Sequence, residues 1–151
     1  MSYDKNKGLI AIATGYSGGK YTYQKLNLNW VQGDSITSTP DQMLDIDSYT
    51  NGNGILKRKV FDHTRSKWEA NTSILYESQV DALICLMQEG FKVKDGKCDT
   101  KKRHLRIRYF NEWEHGYSTG TFYVPDITFS YKLELNGELV YQPIRFSFIE
   151  L

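Results

Sequence analysis

Glu112-Trp113-Glu114-His115 is the tightest grouping of residues that could do chemistry in this chain. Two carboxylates and an imidazole within four positions have the types needed for acid–base work or for holding a metal. The other histidines, His63 and His104, are too scattered to supply a ligand spacing. No Ser-His-Asp or Cys-His set can be assembled around the group, and nothing marks a pocket that would shift a carboxyl pKa. These four residues therefore read as a surface turn. Asp45 and Asp47 are a second acidic pair, but they alternate on one face of a short strand without a third hard ligand nearby, so they read as solvated. Gly15, Gly18 and Gly19 suggest a phosphate loop, yet neither GxxxxGK[ST] nor GxGxxG is present and no helix follows. Asn71-Thr72-Ser73 matches a glycosylation sequon and reads as part of a strand. No catalytic, cofactor or metal residues are assigned, and an enzyme is not expected.

Two basic runs are candidates for binding. Lys57, Arg58 and Lys59 crowd one strand. They form either a patch for an acidic partner or a lysine-blunted sheet edge, and the two readings are compatible. Lys101, Lys102, Arg103, Arg106 and Arg108 lie near Tyr109, Phe110 and Trp113, the mixture a nucleic-acid surface uses. However, His104, Arg106 and Arg108 alternate cleanly with Leu105, Ile107 and Tyr109. That pattern favours a solvated strand face. With 19 basic and 18 acidic residues the net charge is +1, which gives no global pull toward nucleic acid or an anionic membrane. No sequence-specific nucleic-acid partner and no membrane partner are expected.

The elements that must position these residues are mostly short strands. The 151 residues fit a single domain spanning 1–151, and 40% hydrophobic content argues for a folded core. Aromatic residues make up 14% of the chain, with 11 Tyr, 7 Phe and 3 Trp, types that favour strands and interfaces. One convincing helix is expected over about 78–89. Ser78 stands where an N-cap belongs, Val80, Leu83, Ile84 and Met87 form one apolar stripe, and Gly90 sits where a left-handed C-terminal residue is wanted. Strands are expected at Leu9–Ala13, Tyr21–Trp30, Met43–Asp47, Ile55–Asp62, Lys67–Leu75, Phe91–Lys94, His104–Tyr109, Thr121–Val124, Ile127–Leu135 and Leu139–Leu151. Gly33–Pro40 reads as a loop, and Asn51-Gly52-Asn53-Gly54 and Asn136-Gly137 as hairpin turns. The fold class is mainly β (α+β): an antiparallel barrel or sandwich with one flanking helix. Trp68 is expected in the core and Trp113 in a mobile or interface loop. Cys85 and Cys98 are expected to be reduced thiols. Met1–Lys7 is polar with no apolar region following, so no secretion signal is expected, and no stretch approaches 18 apolar residues.

The order of these signals resembles a family of structural proteins from tailed bacteriophages and prophages, of tail-tube, tail-hub or distal-tail type. The matching features are Leu44–Asp47 before the Asn/Gly turn, the basic strand with Arg58, the strand with Trp68 and the helix Ser78–Gln88. They continue with Phe91–Lys94, Phe122-Tyr123-Val124-Pro125-Asp126 and the closing Phe146-Ser147-Phe148-Ile149-Glu150. Together they cover roughly residues 43–151. The resemblance implies a virion subunit assembled in the bacterial host cytoplasm. Its partners are then itself, in a homo-oligomeric ring such as a hexamer, and other tail or baseplate proteins; no cofactor is implied. Lys57, Arg58, Lys59, Lys101, Lys102, Arg103, Trp113 and Tyr117 are the candidate interface. The alternative is a small ligand- or carbohydrate-binding β-module, in which Tyr and Trp faces stack on a bound sugar.

Overall fold

The computed structural model describes residues 3–43, 45–50, 52, 54, 56–60 and 64–151, and of 45–50 and 56–60 the backbone course alone. In chain order the strands before the helix are β1 (Ile10–Ser17), β2 (Lys20–Lys25), β3 (Thr37–Gln42), β4 (Asp45–Thr50), β5 (Leu56–Val60), β6 (Arg65–Asn71) and β7 (Leu75–Tyr76). The helix α1 (Glu77–Phe91) follows, then β8 (His104–Asn111), β9 (Gly116–Tyr123), β10 (Tyr131–Leu135), β11 (Glu138–Tyr141) and β12 (Arg145–Glu150). Seven strands pair in the order β2-β1-β8-β9-β12-β6-β3, every neighbour antiparallel. A three-stranded sheet, β10-β11-β7, and the hairpin β4-β5 complete the pairing among the described residues.

The large sheet curls. The hydroxyls of Ser66 on β6 and Tyr109 on β8 meet at 2.7 Å, although β9 and β12 lie between those strands. Further round, Asn111 of β8 donates to Asp41 of β3 at 2.9 Å. The inward residues alternate as period-two strands require: Trp68 and Ala70, Leu105 and Ile107, Phe146 and Phe148 are all buried. The helix closes this half-barrel with Leu83, Leu86 and Met87, and a smaller cluster of Leu75, Val80 and Ile144 seals its first turn. The mainly β, antiparallel architecture with one flanking helix is therefore what the chain adopts, and Trp68 is in its core.

Several local expectations are corrected. Ser78 is not the cap; it is the second helical residue. The helix starts after Tyr76, whose N–H donates to the Gln79 side chain reaching back at 3.0 Å. Gly90 does not terminate the helix with a left-handed turn. It lies inside the last turn and lets the helix touch the sheet, because a Cβ there would stand 2.7 Å from Ile12 Cγ2. Phe91 to Lys94 is not a strand. Phe91 falls four residues after Met87 and extends the helical stripe into the core.

Gly33–Pro40 is not all loop, since Thr37–Gln42 is β3, an outer strand. An edge position tolerates Pro40, whose missing N–H has no ladder partner to satisfy. Tyr21–Trp30 is not one strand, because Leu28–Trp30 forms a 3-10 turn capped by the Asn27 side chain. β1 continues past Ala13 through a bulge to Ser17, and the turn is made by Gly18 and Gly19 at positive φ. Leu139–Leu151 divides at Gln142–Ile144 into β11 and β12, which join different sheets.

Candidate functional site

The inner end of the half-barrel opposite the helix is polar. The Ser66 N–H donates to Glu150 Oε1 at 2.8 Å, and Ser66 Oγ accepts from the Asp41 N–H at 3.0 Å. Asn111 Nδ2 donates to Asp41 and to Ser118 Oγ. Gly120 leaves the room: a Cβ there would lie 2.4 Å from Glu150 Oε2. These groups satisfy one another and tie β3, β6, β8, β9 and β12 together. Burial, then the Asp41 charge, pushes the Glu150 carboxyl above the usual range. A carboxylic acid with a raised folded pKa adds stability below its unfolded value of about 4.5, and this is lost as pH rises through the folded value. Glu150→Gln keeps the acceptor for Ser66. Urea midpoints from pH 4 to 7 should therefore fall less steeply in Glu150→Gln than in wild type; parallel curves would refute the assignment.

The outer face of the same sheet is built differently. Ala11 and Ala13 of β1 are small and fully covered, so long neighbours lie across them. Arg108 shares a cross-strand row with Ala11, and its guanidinium is 4.7 Å from the Tyr23 ring centre. Arg106 stands 5.4 Å from Tyr21 and donates to Thr119 and Thr121. At the edge of this face the Tyr21 hydroxyl donates to Asp95 at 2.7 Å. Burial opposes ionisation of Asp95, but the N–H groups of Cys98 and Lys97 and the Tyr21 hydroxyl outweigh it and hold the carboxyl at about 2. Burial, the Asp95 charge and the hydrogen bond to it push the Cys98 thiol to about 12, so it stays protonated. Both cysteines are free thiols.

An exposed apolar surface lies on the arm made by β10 and its turn, where Tyr131, Leu133 and Leu135 face solvent. Every residue from Tyr131 to Gly137 is exposed. Leu133 and Leu135 share one face, and Tyr131 stands across a bulge, packed on Tyr141 with ring centres 5.2 Å apart. Among the described residues β10 pairs with β11 alone, so its other edge presents backbone groups without a ladder partner there. Beside the arm's base, α1 and the segment 124–129 border a groove of about 250 Å³ lined by Ile84, Met87, Phe91, Val124, Ile127 and Phe129.

The candidate interface residues are not gathered into one patch. Lys101, Lys102 and Arg103 form the turn before β8, with Asp99 accepting from the first two N–H groups and Arg103 paired with Asp126 at 2.8 Å. Trp113 and Tyr117 lie at the opposite end of β8, about 25 Å of strand away. Trp113 is 75% exposed. Tyr117 is engaged within its own chain: its hydroxyl donates to the Gly8 carbonyl at 2.7 Å and its ring packs edge-on against Phe110. Lys57, Arg58 and Lys59 lie on β5, and their side chains are outside the described residues, as is His63. Among the described residues no three His, Cys, Asp or Glu are placed to hold a metal. Sequence reasoning missed Tyr131, Leu133 and Leu135 as a surface. Their one signal is an apolar alternation with Lys132 and Glu134.

A curled antiparallel sheet plugged by one helix, with an apolar free-edged arm, defines a small mainly β scaffold. The chain belongs to DUF6711, a family of unknown function, whose model matches residues 15–151. Comparison with curated proteins gives no match. Among solved structures the chain is similar to one described as the tail of an empty GTA particle, computed with helical refinement in C6 symmetry. The two share 11% identity over 99% of this chain and 95% of that chain, with a TM-score of 0.43.

Proposed function

We propose that this chain is a structural subunit of a phage-type tail or baseplate that assembles with copies of itself, in a ring, and with other tail proteins. The observation that carries the reading is the β10 arm. Its residues Tyr131–Gly137 are exposed on both faces, and among the described residues one edge of the strand has no partner. A solvated monomer gains nothing from placing Leu133 and Leu135 there, whereas a neighbouring strand would bury them and complete the ladder. The resemblance of residues 43–151 to tail structural proteins points the same way. No catalysis and no cofactor are part of this reading, and its place of action is the virion tail, built in the host cytoplasm.

Light scattering across a range of concentrations tests it. Wild type should form a discrete ring or growing polymers, and Leu133→Glu/Leu135→Glu should shift the population to the 17.5 kDa monomer without changing thermal stability. A wild type that stays monomeric at about 1 mM, near the weak limit of specific association, would overturn the reading. The groove beside α1 then supports the second reading, a module binding a small apolar ligand. Its volume of about 250 Å³ falls just below the usual range for such sites, which limits it to a small ligand.

A further inference from the structure

The outer face of β2, β1, β8 and β9 carries Lys25, Arg106 and Arg108, and among the described residues no carboxylate is ion-paired with either arginine. Lys25, Ala11 and Arg108 form one row across the sheet, with Arg106 on the next outward position of β8. The Arg106 guanidinium meets the hydroxyls of Thr119 and Thr121, and the Arg108 guanidinium meets the Lys7 carbonyl. Asp95, the acid at this face, is already engaged by Tyr21 and by the backbone of its own loop.

At the β8–β9 turn the same chain displays the complementary chemistry. Glu112, Trp113 and Glu114 are all exposed, and the turn is held open by the Trp113 N–H donating to Asn111 Oδ1 at 3.0 Å. An indole this exposed between two carboxylates has the character of an anchor, since Trp and Arg dominate interface hot spots. We propose that the Glu112-Trp113-Glu114 tip of one copy seats on the Arg106/Arg108 face of a second copy. The indole lies over the guanidinium–tyrosine stacks, and the two carboxylates stand beside Lys25 and Arg108. Tip and face are different surfaces, so the contact is heterologous: each copy gives a tip and receives one, and the series closes into a ring or extends. The proposal rests on the self-assembling reading above and adds a second contact, separate from the β10 arm.

Sedimentation of four proteins tests it: wild type, Trp113→Ala, Glu112→Lys/Glu114→Lys and Lys25→Glu. The substituted positions are exposed, so circular dichroism should show all four folded. Association should weaken about thirtyfold in Trp113→Ala, the loss typical of a hot-spot residue. It should weaken in each charge variant as well, and an equimolar mixture of the Lys tip with the Glu face should regain part of the loss. Assembly unchanged in the tip variants overturns the tip-to-face contact and leaves the arm-based reading standing. Loss in Lys25→Glu with no loss in the tip variants also overturns it, by showing that the face takes another acidic segment. A wild type that never associates overturns both.

Discussion

Phe148→Ala is expected to remove about 4 kcal/mol of stability, the range for truncating a fully buried aromatic side chain. Phe148 has no exposed surface, and its ring centre lies 6.0 Å from Trp68 and 5.8 Å from Phe146. β12 lies in the middle of the sheet, between β9 and β6, so the space left behind cannot be filled by a sliding edge strand. The loss combines the transfer of the ring to water and a cavity that rigid neighbours on both sides keep open. A domain of this size is stable by about 5–15 kcal/mol, so the substitution removes between about a quarter and most of the total. Urea titration followed by fluorescence measures it well, because Trp68 is buried while Trp113 is exposed before and after unfolding. A change below about 1 kcal/mol would show that Phe148 is not in the packed centre.

Gly90→Leu should cost about 3 kcal/mol, the upper range for an overpacked contact. Helix propensity alone points the other way, since glycine inside a helix is about 1 kcal/mol worse than alanine and similarly worse than leucine. The sheet decides the sign. A Cβ at position 90 would lie 2.7 Å from Ile12 Cγ2 and 3.4 Å from Leu105 Cβ, and both neighbours are fully buried. Ile12 is β-branched, which restricts its χ1, and it is fully buried, so it has little room to turn aside. The helix must lift from β1 and β8, loosening Met87 and Phe91 with it. Ala82→Leu, on the exposed side of the same helix, should change stability by less than about 0.5 kcal/mol. Equal small effects at both positions would mean that Gly90 is not the point of closest approach.

The comparison of these two positions also shows what the sequence made legible. The stripe Val80, Leu83, Ile84 and Met87 identified the helix and its buried side because periodicity is local information. The same stripe could not say that Gly90 faces a strand, because that depends on β1, nearly eighty residues earlier. The alternation of Leu105, Ile107 and Tyr109 marked β8 for the same local reason. β3 went unseen because Ser, Thr and Pro belong equally to loops and to edge strands. The candidate site was less legible still. Leu133 and Leu135 alternate with Glu134 as a half-buried strand would, and only the absence of a covering layer distinguishes them. Tyr117 has the look of an interface tyrosine, yet its hydroxyl already closes the Asp4–Gly8 turn. The exposed Trp113 was legible, since two flanking acids in a turn leave an indole little chance of burial.

The interior place of β12 has a consequence for biosynthesis. Ile144 and Thr72 are bonded partners 72 positions apart, and Ser66 and Glu150 are 84 apart. Until the segment Arg145–Glu150 leaves the ribosome, β6 has lost the neighbour that covers one edge, and Trp68 has neither Phe146 nor Phe148 to pack on. The half formed by β1, β2, β8, β9 and the helix can collapse first, because β8 and β9 are adjacent in the chain. The remaining strands must wait and then be joined by a late insertion, a high-contact-order step that is slow and leaves an open apolar strand in the interval. In that interval the exposed edge of β6 and the uncovered Trp68 are the surfaces on which two immature copies would stick to each other.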